Sequence, residues 1–156
     1  MGACNIVHHV TAFIQFALAV AIAVVVGIKL FTVTVPQGDN VEVETSCLLG
    51  TDYNSESLCI YVFVVAGISV IVSLLISLVQ CVTCHLCGIG GVLDVIFAAA
   101  GTAWWIIASA IVTKHANQAN GVLPEENWRN TVVGMMWAEV GVFGIMFLSG
   151  LIRPVL

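Results

Sequence analysis

The residues best equipped for chemistry are cysteines, and three of the six lie in one short run. Residues 81–87 read Cys-Val-Thr-Cys-His-Leu-Cys. Cys81, Cys84 and His85 have the C-x-x-C-H spacing of covalent haem attachment, in which two thiols take the vinyl groups and the histidine becomes an axial ligand. Cys81, Cys84 and Cys87, with Cys4 or His85 as a fourth ligand, would equally suit zinc or an iron–sulfur cluster. The plainest reading is a turn whose thiols are free or palmitoylated. The run starts on the last turn of a long apolar stretch, at a membrane edge where reversible acylation of cysteine occurs. Cys4 sits at the same edge and is a further acylation candidate. On this reading no metal and no cofactor is expected. The other two cysteines, Cys47 and Cys59, bracket an acidic segment and are placed to close a disulfide.

Ionisable groups inside apolar stretches are the second source of chemistry, because each is costly in lipid and demands a partner or a task. There are three: Lys29, Asp94 and Glu139. Lys29 and Glu139 fall at similar depths if their helices run in opposite directions, so an ion pair between them is expected, with the lysine stem snorkelling. Asp94 lies about one turn inside its stretch, level with His8 and His9 before the first. A hydrogen bond from His9 or His8 to Asp94 is one expectation, and a solvated carboxylate near a helix N-terminus is the other. The chain has no glycine-rich phosphate loop and no Ser/His/Asp set. Its histidines lie at membrane edges, with His115 opposite the others, so an enzyme is not expected.

The elements that position these groups follow from composition. Of 156 residues, 60% are hydrophobic and 8% charged, with a mean hydropathy of +1.10. A soluble domain carries about 25% charged residues. Four Lys+Arg against nine Asp+Glu leave no basic footprint for nucleic acid. Four apolar stretches, at about 10–35, 58–82, 91–113 and 131–152, are each long enough to cross a bilayer. In lipid the backbone must satisfy its own hydrogen bonds, so these stretches are expected to be helices. The fold class is therefore all-α: a single four-helix transmembrane bundle with both termini on one side. Residues 36–57 and 114–130 form polar segments at one end, and residues 83–90 a tight turn at the other. The few cations place Lys29, Lys114 and Arg129 on one side and Arg153 on the other, which taken literally makes the long loops cytoplasmic. The cysteines argue the reverse. A Cys47–Cys59 bridge needs an oxidising compartment, and the remaining four cysteines lie at the opposite edge, so both termini are expected in the cytosol.

Small residues recur at helical spacing: Ala19, Ala23 and Gly27 in the first span; Ser69, Ser73 and Ser77 in the second; Gly134, Ala138, Gly141 and Gly144 in the fourth. Such stripes let helices approach closely in lipid, and packing within the bundle is the expected use. Trp104 and Trp105 sit mid-span, whereas Trp128 sits where an interfacial anchor would.

Three segments carry a resemblance: HVTAFIQFALAVAIA, LDVIFAAAGTAWWIIASA and NWRNTVVGMMWAEVGVFGIMFLSGLI. Together they resemble the MARVEL-type tetraspans, including the Casparian-strip-membrane-protein-like proteins of plants and their fungal relatives. That family carries an acid near the start of its third helix, where Asp94 stands here. Plant members pair it with an arginine at the start of the first helix, where this chain has His8 and His9. The resemblance implies a membrane scaffold in trafficking or membrane organisation, associated with lipids and with other membrane proteins or itself, at the plasma membrane or an endomembrane. A second resemblance, of GMMWAEVGVFGIMF to the last helix of the vacuolar-ATPase proteolipid, implies instead that Glu139 carries a proton. A small channel or transporter subunit is a third reading of the same spans.

Overall fold

The computed structural model describes residues 3–31, 33–36, 42–45, 47–51, 56–83 and 90–152, and the side chains of most of them. Four long helices dominate: α1 (Ala3–Val25), α2 (Glu56–Thr83), α3 (Gly90–Ala119) and α4 (Glu126–Ile152). Within them, Val10–Leu30, Ser57–Leu75, Val95–Ala119 and Glu126–Ile152 are long and apolar enough to cross a membrane. The expected all-α, four-span architecture is the one observed.

Neighbouring helices run in opposite directions. Gln15 of α1 meets Met146 of α4 near one end, and Lys29 meets Trp128 near the other. Along the α3–α4 hairpin, Thr113 faces Trp137 and Val95 faces Gly150. The starts of α1 and α3 and the ends of α2 and α4 therefore share one end of the bundle, called here the terminal end. The opposite end is the loop end.

Two boundaries differ from the sequence reading. The first span was expected to run to residue 35. Its helix instead passes into a π-turn, Val26–Leu30, and Val33–Pro36 forms strand β1, antiparallel to β2 (Glu42–Thr45), with Val33 opposite Thr45 and Pro36 opposite Glu42. The reason is local, since the alternating β-branched residues of VTV suit a pleated ribbon and proline stops a helix. The polar segment expected at 114–130 is mostly helical. Ending a span at Lys114 mistakes the end of the apolar run for the end of backbone hydrogen bonding, which continues while polar side chains reach toward water. The turn between α3 and α4 is only 120–125, with Gly121 at φ 83° and Glu125 at φ 66°.

The core lies toward the loop end. Ile22, Val26 and Leu30, Val62 and Val65, Trp105, Ala108 and Val112, and Val132 and Met136 pack with no more than 1% of their surface exposed. The loop dips into this core: Leu48 and Leu49 are fully buried and close the bundle like a plug. Cys47 and Cys59 form the expected disulfide, tying that plug to the first turn of α2.

Candidate functional site

Three features of the bundle bear on function: a locked loop end, a buried acid at mid-depth and an open stripe on α4. The loop end is built around Arg129. As the fourth residue of α4 its side chain points back along the helix into the turn, and none of it is exposed. All five guanidinium N–H groups are used. Nε donates to Asn120 Oδ1 at 2.9 Å. One terminal nitrogen donates to the carbonyls of Leu48 at 3.1 Å and Pro124 at 2.6 Å. The other donates to those of Ala119 at 3.3 Å and Leu123 at 2.9 Å. Ala119 ends α3, and its carbonyl also accepts from the N–H groups of Val122 and Leu123, so the cation adds a third donor there and sits at the negative end of the helix dipole. Glu125 and Glu126 supply countercharge from outside. Leu48 is held from both sides, because its own N–H donates to the Leu30 carbonyl at 2.8 Å. One residue thereby joins α3, α4, the intervening turn and the disulfide-linked plug. In the sequence Arg129 counts only as a loop cation. The signal that could reveal more is its place in the first turn of a helix beside the Asn-Gly turn.

The expected Lys29–Glu139 ion pair is not formed. Lys29 is exposed on the π-turn, and its Nζ lies 5.4 Å from the centre of the Trp128 ring, a cation–π contact at the interface. Glu139 lies 11 residues further along α4 than Trp128, about 16 Å deeper at 1.5 Å per residue. The depths do not match because α4 starts earlier than its apolar run does. Glu139 is 1% exposed. It faces the backbone of Ala19 on α1, yet neither carboxyl oxygen receives a hydrogen bond from a described residue. Trp105 Nε1 and Ser109 Oγ on α3 are likewise buried without a partner. The α3–α4 register, set by Thr113 with Trp137 and Gly101 with Phe143, brings these two residues level with Glu139. An acid, a hydroxyl and an indole N–H thus occupy one layer of the bundle interior.

The small-residue stripes divide. Ala19 is buried and Gly27 is packed on the Phe63 ring. On α3, Gly101 admits the Phe143 ring, which would collide with a side chain there, and Gly150 of α4 admits Val95. The α4 stripe does the opposite of what was expected. A side chain at Gly134, Gly141 or Gly144 would meet nothing within 4 Å, and Ala138 is exposed. This stripe faces out of the bundle. Over its 18-residue apolar stretch α4 is 17% buried, against 28% for the corresponding stretch of each other span.

The remaining site candidates fall elsewhere. The side chains of Cys4, His8, His9, Cys81 and Asp94, and residues Cys84, His85 and Cys87 entirely, lie outside the described residues. Trp105 is core and Trp104 is 40% exposed, so the adjacent tryptophans have separate roles. Compared with protein families, curated proteins and solved structures, the chain matches none.

Proposed function

We propose that this chain is a non-enzymatic membrane scaffold, or an accessory subunit of a larger membrane assembly, that acts by lateral association through α4. The observation that supports this reading is the outward stripe of Gly134, Ala138, Gly141 and Gly144. Within lipid no hydrophobic force drives helices together, so a groove of small residues gains its stability when a second helix packs into it. Here that helix comes from outside the bundle, either another copy or a membrane partner. The locked loop end suits the same role, because a rigid cap holds α4 in one orientation toward its partner. Membrane organisation or trafficking is the role that the MARVEL-type resemblance implies, in a plasma membrane or endomembrane with both termini cytosolic.

The test is to fill the groove. Gly134→Leu with Gly141→Leu is expected to lower cross-linking to self or partner in native membranes by about tenfold, the equivalent of losing about ten well-packed atom–atom contacts. The variant's own thermal stability in detergent should not fall, since neither site touches the rest of the bundle. Unchanged cross-linking would refute the reading. A proton-carrying role for Glu139 is the alternative, favoured by its burial without a partner. Proton flux in reconstituted vesicles that Glu139→Gln abolishes would replace the scaffold reading with that one.

A further inference from the structure

A cavity of about 270 Å³ lies among all four helices in the half of the bundle nearer the terminal end. Its deep wall is buried: Gln15 is 5% exposed, Ala98 3% and Trp105 not at all. Its rim is open, because Ile68 of α2 and Phe97 and Trp104 of α3 line the cavity and are also about two-fifths exposed. The mouth therefore opens sideways between α2 and α3. Phe97 is seven residues beyond the start of α3, about 10 Å along the helix, and two residues inside the apolar span that begins at Val95. Whatever enters comes from the hydrocarbon.

The lining decides what enters. It is mostly carbon, and the Gln15 amide N–H is turned to the Met146 thioether at 3.1 Å. Water in a buried site needs two to four polar partners; the polar side chains here are few, Gln15 on α1 and Ser69 and Ser73 on α2 beside the Trp105 indole, and the carbon wall beyond them favours hydrocarbon. The space is nearly twice that of an apolar cavity of about 150 Å³ that takes up benzene. A void of this size left empty forfeits the dispersion contacts of its whole lining. We infer that the cavity is a lipid site, taking one acyl chain of a phospholipid whose headgroup stays at the interface on the terminal side. The chain enters between α2 and α3 and ends against Trp105. This site is distinct from the α4 stripe, so the bundle would carry a lipid on one face while a helix packs on another.

The test uses phosphatidylcholine bearing a photoreactive diazirine on one acyl chain, in vesicles containing the full-length protein. Adducts are expected on Ala12, Ala98 and Ile68 above those on the outer-face residues Phe13, Ile71 and Leu75. Filling the cavity by Ala98→Phe or, from the other wall, Ser69→Leu is expected to lower the cavity adducts by about tenfold, the cost of displacing two or so methylenes. Outer-face adducts would be unaffected. Adducts spread evenly over the wild-type surface would overturn the proposal, and that comparison needs no variant to fold. Modification of an Ala98→Cys variant by a water-soluble, membrane-impermeant thiol reagent would also overturn it, by showing that the cavity is aqueous.

Discussion

Five N–H groups on one side chain meet five oxygens at Arg129, and none of those oxygens belongs to a carboxylate. A fully engaged guanidinium cannot be replaced by an ammonium, which has three donors on a single atom and no planar fork. Arg129→Lys keeps the charge but takes donors from the carbonyls of Leu48, Pro124 or Leu123. Breaking a buried charged network costs about 3 kcal/mol or more, so the melting temperature in detergent is expected to fall by roughly 6–12 °C. A fall as small as that of a surface substitution would show that the network contributes little. Glu139 predicts the opposite sign. Its carboxyl is buried with no described donor, and replacing a buried polar group by an apolar one of similar volume is often neutral or stabilising. Glu139→Met is therefore expected to leave the melting temperature unchanged or raise it by a few degrees. A marked decrease would reveal a structural partner for the acid.

At the scale of elements, the loop end is one cooperative unit, because the Leu48 carbonyl reaches Arg129 while Cys47 is bonded to Cys59. Opening the bridge by Cys47→Ala with Cys59→Ala releases a closed loop of 12 residues, worth about 3 kcal/mol in the chain-entropy model. Amide exchange at Leu48 and Leu49 should then accelerate sharply. Combined with Arg129→Lys, the loss should be less than the sum of the two, since both release the same plug. Little of this was legible in the sequence. The spacing of Cys47 and Cys59 suggested the bridge, but the acceptors of Arg129 come from three segments, one of them 81 residues away. The four spans were legible because apolar length alone defines them. The direction a stripe faces was not, since in lipid both faces of a helix are apolar and periodicity marks a face without saying where it points. Gly101 and Gly134 make the difference measurable. Gly101→Ala pushes a methyl into the Phe143 ring and is expected to destabilise by about 1–3 kcal/mol. Gly134→Ala meets nothing and is expected to stabilise the helix by about 0.5–1 kcal/mol.

At the scale of the whole molecule, the ends of the bundle are unequal, and the inequality bears on orientation. The loop end holds the Cys47–Cys59 bridge and the buried plug; Cys81 closes α2 at the terminal end. A disulfide persists in an oxidising compartment and free thiols in a reducing one, so the two kinds of cysteine should answer a membrane-impermeant thiol reagent from opposite sides. Added to intact cells after mild reduction, the reagent is expected to modify Cys47 and Cys59 and to leave Cys4, Cys81, Cys84 and Cys87 untouched. After permeabilisation those four should react, unless acylated, in which case hydroxylamine should expose them. Labelling of Cys81, Cys84 or Cys87 from outside intact cells would invert the topology. It would bring the loop-end cations Lys29, Lys114 and Arg129 to the cytoplasmic side, as the positive-inside rule read literally requires. Two of these cations are already committed within the fold, Arg129 to carbonyls and Lys29 to the Trp128 ring. A cation retained for packing is a weaker guide to orientation than one free in a loop, and the division of the cysteines between the two ends outweighs it.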